Sequence, residues 1–154
     1  STSARFGFVF LNRGIVNDAS SSWFLPKIVG ISKALELCFS GKIIDANEAK
    51  EIGLVSYIFE DDEMLEKSLD YCKYLAKKSA PVSVAMARRL FWSSLGDNGP
   101  DRSHNLESFF ISSRGKSGDA REGVTSFLEK RLADFPNSVS EDLPKDFLDK
   151  IEKK

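Results

Sequence analysis

A mainly α-helical chain with one or two short strands is what this 154-residue sequence predicts, on three observations. Residues 62–79 place Leu65, Leu69, Cys72 and then Leu75 or Ala76 at helical spacing, an apolar stripe backed by charge. Glycine and proline cut much of the remainder into helix-length pieces, at Gly41, Gly53, Pro81 and the run Gly96-Asp97-Asn98-Gly99-Pro100. Only two runs read as strands, Arg5 to Leu11 and Leu54 to Phe59.

In chain order, Arg5 to Leu11 is rich in Phe and Val and predicts a short buried strand. The stretch Gly14 to Ser22 is a turn leading into a helix that Asp18 or one of the serines would cap, because their oxygens accept from the unpaired N–H groups of a first turn. That helix would bury Trp23, Phe24 and Ile28, and Pro26 keeps it short or bent. A second helix spans about Ser32 to Phe39 and stops at Gly41. Asp45-Ala46-Asn47-Glu48 reads as a capping box with an acidic cap, opening a helix that Gly53 ends. Leu54 to Phe59 follows as the second strand, then the amphipathic helix, a helix from Pro81 to about Leu95, and helices at 101–114 and 119–132. After Pro136 the chain is polar and linker-like, and Lys145 to Lys154 reads as a short helix or a frayed tail.

Composition narrows the function classes. With 42% hydrophobic and 29% charged residues the chain is an ordinary globule, and a net charge of −1 argues against nucleic acid or an anionic membrane surface as partner. The two cysteines, Cys38 and Cys72, both fall among apolar residues and read as buried free thiols of a reducing compartment. One histidine, His104, sits in a polar helix start and reads as a surface residue; no metal centre is expected. With no leader pattern and no membrane-length apolar run, a cytoplasmic protein is expected. The first residue is not Met, and strands without a sheet need partners. The start suggests a piece of something longer or the removal of a tag or leader, and the strands suggest missing sequence or an oligomer.

Ser40-Gly41-Lys42-Ile43-Ile44-Asp45-Ala46-Asn47-Glu48-Ala49-Lys50-Glu51-Ile52-Gly53-Leu54-Val55 resembles the signature of the crotonase superfamily, the enoyl-CoA hydratase/isomerase family. Ala4-Arg5-Phe6-Gly7 and Leu25-Pro26-Lys27-Ile28-Val29-Gly30 upstream, and Asp119-Ala120-Arg121-Glu122-Gly123 with Phe127-Leu128-Glu129-Lys130-Arg131 downstream, resemble it in order and spacing. The match runs from about Ala4 to Phe135. The resemblance implies an α/β spiral in the parent protein, of which this chain would be the C-terminal part only: residues 1–60 the end of the spiral core, 61–135 a helical trimerisation region, 136–154 a polar tail. The missing N-terminal part would carry the oxyanion-hole N–H groups and most coenzyme A contacts.

The family's shared step is stabilisation of a thioester enolate, with backbone N–H donors worth on the order of 3 kcal/mol each and a carboxylate moving protons. The resemblance implies an acyl-CoA substrate, with no tightly bound cofactor and coenzyme A entering as part of the substrate. It also implies a homotrimer or hexamer. Phe10 occupies the position where standard hydratases carry a glutamate, which argues against two-glutamate hydration. Asp18, eight residues on, stands in the turn where isomerases of the family carry an acidic residue, and is the expected catalytic group. An apolar wall of Phe10 and Trp23, the expected acyl pocket, would make that carboxyl hold a proton more tightly. Lys130 resembles a lysine that reaches the adenine or phosphate end of coenzyme A, and Phe110, or Ile111 in a shifted register, an aromatic beside the adenine. The alternative to an isomerase-like enzyme is an inactive chain serving assembly or acyl-CoA binding. A fragment would expose apolar faces and associate.

Overall fold

The computed structural model describes residues 1–152, which form two compact units divided after Asp70. The described residues are mostly helical with one two-stranded antiparallel sheet.

In the first unit, β1 (Arg5–Gly7) pairs antiparallel with β2 (Ile43–Asp45), in register Arg5 to Asp45, Phe6 to Ile44 and Gly7 to Ile43. The predicted strand over 5–11 is therefore halved: at Phe10 the backbone turns into a 3-10 helix, Leu11–Arg13. The predicted strand at 54–59 does not form, and the partner of β1 comes instead from the link ahead of the capping box. Between the strands run α1 (Ser21–Val29) and α2 (Ile31–Ser40), packed on each other around Leu25, Ala34 and Cys38. Leu37, Ile44 and Ala49 form the adjacent core, with Ala49 on α3 (Ala46–Glu51).

The ends of α3 follow the sequence closely. The Asp45 carboxylate accepts from the Glu48 N–H at 2.9 Å, the expected cap. Glu48 does not reach back; Lys42 Nζ donates to both its oxygens, at 2.8 and 2.7 Å. At the other end Gly53 is left-handed (φ 78°), its N–H donating to the Lys50 carbonyl while that of Leu54 donates to the Ala49 carbonyl. This pair of bonds is the Schellman stop.

Helix α4 (Met64–Lys78) crosses the division and has no buried residue. Its apolar stripe has the predicted period, but Leu65, Leu69 and Leu75 are exposed. Cys72 is exposed with them, correcting the expectation of two buried thiols: spacing set the stripe, and the chain does not cover it.

In the second unit α5 (Pro81–Ser94) packs against α6 (Asp101–Arg114), with α7 (Gly118–Leu128) following. The polar stretch after Pro136 holds α8 (Val139–Asp142) and α9 (Phe147–Glu152), both packed against α5. Of the two forms expected for Lys145 to Lys154, the described residues take the short helix, and Lys153 and Lys154 lie outside the described residues. Phe147 (1% exposed) and Ile151 join Val82, Met86, Leu106 and Phe110 in the core. No helix among the described residues is long and apolar enough to cross a membrane.

Candidate functional site

Three of the expected site residues belong to the first unit. Phe10 is half-buried at the start of the 3-10 helix, where its carbonyl accepts from the N–H groups of Arg13 and Ile15 at 3.0 and 3.2 Å. Trp23 lies in the first turn of α1, its ring edge-on to Phe24 at 4.7 Å and Lys27 Nζ 4.4 Å above it. Asp18 is exposed in the turn between them.

That turn departs from the sequence expectation. The residue capping α1 is Ser20, and it makes no side-chain capping bond. Ala19 and Ser20 are both left-handed, at φ 53° and 57°. A capping side chain reaches the first-turn N–H groups from extended backbone, and a left-handed residue does not present it that way. Asp18 contributes only its carbonyl, which accepts from the Ser21 N–H at 3.0 Å. Among the described residues its carboxylate has no hydrogen-bond or ion-pair partner, and the chain does not bury it behind the expected apolar wall. Two consecutive left-handed residues with Cβ atoms cost on the order of 1 kcal/mol each. Asn17 braces the strained turn, donating from Nδ2 to Ser21 Oγ at 3.3 Å and to Cys38 Sγ at 3.2 Å.

The other two expected residues belong to the second unit. Phe110 is 2% exposed in the core, its ring edge-on to Phe147 at 4.8 Å, while the neighbouring Ile111 is 73% exposed. Phe110 forms part of the floor of a cavity of about 490 Å³ between α5 and α6, with Met86 and Leu90 and a rim that includes His104, Glu107 and Arg114. Lys130 is exposed just beyond α7, not within a helix as the sequence suggests. Its backbone is left-handed (φ 54°); its N–H donates to the Phe127 carbonyl and that of Arg131 to the Ser126 carbonyl. Lysine thus occupies the Schellman position that glycine usually takes.

Sequence reasoning missed what surrounds Lys130. The Arg131 guanidinium forms two hydrogen bonds to Glu122, one of them at 2.9 Å, and donates from Nε to Glu129 at 2.6 Å. Glu122 also accepts from the Asp134 N–H at 2.7 Å. The Arg131 bond first, and the backbone bond second, hold the Glu122 carboxyl down at about 2. Contacts nine and twelve residues apart across a turn leave no periodic trace in a sequence. A second missed pair, Arg114 and the buried Asp119, meets at 2.9 Å, with Asp119 also accepting from the Asn137 N–H at 3.0 Å. Among the described residues no three His, Cys, Asp or Glu side chains converge as a metal site.

Comparison with known proteins gives the family. The model of the Enoyl-CoA hydratase/isomerase family matches residues 1–138. The enoyl-CoA hydratase ACTT3 of Alternaria alternata is 36% identical over 144 residues, covering 90% of this chain and 47% of that protein. The enoyl-CoA hydratase AFT3-1 of the same organism is 34% identical over 152 residues, 96% of this chain and 49% of that protein. The crystal structure of the enoyl-CoA hydratase from Bacillus anthracis superposes with a TM-score of 0.83 at 26% identity, over 89% of this chain and 52% of that one. The chain spans about half the length of these relatives. The expectation of a resemblance confined to a C-terminal part, running from about Ala4 to Phe135, is corrected by the same findings: the family match takes in residues 1–138, nearly the whole of this chain. On that match and that fold, the chain belongs to the enoyl-CoA hydratase/isomerase family.

Proposed function

We propose that the chain serves an enzyme that moves the double bond of an enoyl-CoA thioester, with Asp18 as the single proton carrier. The observation that carries this reading is the state of Asp18: its carboxylate is exposed, without a partner among the described residues, and released from the capping duty its position suggests. It also sits beside two left-handed residues, and strain of this kind is concentrated at sites of function. Phe10, standing where a second glutamate would serve hydration, supports one carboxylate over two.

In this reading Asp18 removes a proton from the carbon next to the thioester carbonyl. The negative charge delocalises onto the thioester oxygen, and the proton returns further along the chain. Phe10 and Trp23 line the acyl chain. Lys130 meets a phosphate of coenzyme A, the only cofactor-like group required, which arrives with the substrate. The protein works in the cytoplasm as a homotrimer or hexamer.

Replacing Asp18 by Asn keeps the shape and removes the base. Isomerisation is expected to fall by roughly 10²–10⁴-fold while enoyl-CoA binding, followed by calorimetry, is retained. Turnover that survives the substitution contradicts the assignment, and so does turnover and binding lost together.

A further inference from the structure

We infer that Glu122 is a positioning residue for Lys130, holding the Glu129-Lys130-Arg131 turn so that its lysine, and not its arginine, meets the anion. The inference rests on the reading of Lys130 as a phosphate contact.

Three charged side chains follow one another here, and the structure treats them differently. Arg131 is engaged through all three of its nitrogens: Glu122 takes two of its N–H groups, Glu129 its Nε, and the Leu132 carbonyl another at 3.0 Å. Glu122 and Glu129 are thereby occupied as well. Lys130 alone is left, with no hydrogen-bond or ion-pair partner among the described residues and an exposed side chain. An arginine fork is the stronger phosphate binder, so the clamp withdraws the competing cation and leaves a single flexible point charge.

The same clamp holds the backbone. A lysine at φ 54° is strained, and such a residue persists only where its surroundings over-determine it. Glu122 supplies that constraint from within α7. Through Arg131 and the Asp134 N–H it ties the segment leaving the turn back onto the helix that enters it. Without Glu122 the residues next to the turn are tied to α7 by the two Schellman backbone bonds, the paired Asp119–Asn137 bonds lying further along the exit, and Lys130 is free to relax.

This predicts a result of unusual sign. Removing a carboxylate near an anion site, and freeing an arginine beside it, should tighten anion binding on electrostatic grounds. Positioning predicts the opposite. The experiment titrates adenosine 3′,5′-bisphosphate, which carries the nucleotide and 3′-phosphate of coenzyme A, into the chain and its Glu122→Gln, Lys130→Ala and double variants. Each single variant is expected to bind about tenfold more weakly, and the double variant no more weakly than Lys130→Ala. Glu122→Asp keeps the charge and shortens the reach; it is expected to weaken binding similarly, and serves if the glutamine variant does not fold. Binding that tightens or holds in both Glu122 variants while Lys130→Ala weakens it overturns the role of Glu122 alone. Losses that add in the double variant also overturn it, because they describe general destabilisation. If Lys130→Ala binds as well as the unaltered chain, or the unaltered chain does not bind, the reading of Lys130 falls and this inference with it.

Discussion

Lys130 carries two opposed demands in one residue: a left-handed backbone that favours glycine, and a charge that the proposed function needs. Lys130→Gly separates them. Relief of the Cβ strain, partly offset by the freer unfolded chain, is expected to raise stability by roughly 0.5–1 kcal/mol in denaturant melts, while binding of the coenzyme A nucleotide weakens. Lower stability would show that φ 54° is not strained in this setting. Glu122 gives a prediction in pH. Its folded carboxyl titrates at about 2 against an ordinary 4.5, so the folded state holds this proton less tightly than the unfolded chain. The stability it adds is complete above pH 4.5 and is lost as the pH falls toward 2. Acid unfolding followed by circular dichroism should therefore show a steeper loss over that interval for the unaltered chain than for Glu122→Gln. At this scale the sequence shows which residues exist and, by resemblance, singles out Asp18 and Lys130 as candidates. It hides their backbone states, because Ala, Ser and Lys do not announce left-handed conformations as Gly or Asn would.

Helices α2 and α3 show why some elements are legible. Each ends at a glycine whose positive φ the sequence pattern anticipates, Gly41 at 59° and Gly53 at 78°. The two sites differ in what surrounds them. A Cβ at Gly53 would meet nothing nearer than the Ile28 carbonyl oxygen at 4.0 Å, so alanine there costs the left-handed strain alone, about 1 kcal/mol. At Gly41 the Cβ collides with the Asn12 side chain and displaces its bond to the Ser40 carbonyl, so Gly41→Ala is expected to destabilise more than Gly53→Ala. Asp45→Ala removes the α3 cap and should cost about 1 kcal/mol. Equal melting points for the two glycine variants would show that Asn12 moves aside without cost. Strand pairing was less legible. Leu54 to Phe59 has the residue types of a strand, but a strand is fixed by its partner, and β1 finds its partner in three residues that read only as a link. Helix α9 was obscured by its charges: Phe147 and Ile151, four residues apart, form its buried face within a run dominated by Lys, Asp and Glu. Phe147→Ala is expected to cost about 3–5 kcal/mol, where a frayed end would register almost nothing.

At the scale of the whole molecule, the expected exposure of apolar side chains is present: Val16 (82%), Phe127 (80%) and Leu128 (72%) are among the most exposed. Val124, Phe127 and Leu128 share one face of α7 by their spacing. Sedimentation of the chain should show association that rises with concentration and weakens in Phe127→Ser; a monomer at every concentration would count against the proposed oligomer. Family and fold class were legible because caps, glycine stops and motif spacing recur over most of the chain. The site was legible only in part, since its electrostatics come from contacts that fold assembles across turns. The central claim is proton transfer by one carboxylate. The most direct measurement is to follow 3-enoyl-CoA and 2-enoyl-CoA by proton NMR in the presence of the native protein and its Asp18→Asn variant. The account predicts migration of the double bond, little addition of water, and loss of migration in the variant. Rapid formation of 3-hydroxyacyl-CoA, equally fast in both proteins, would contradict it.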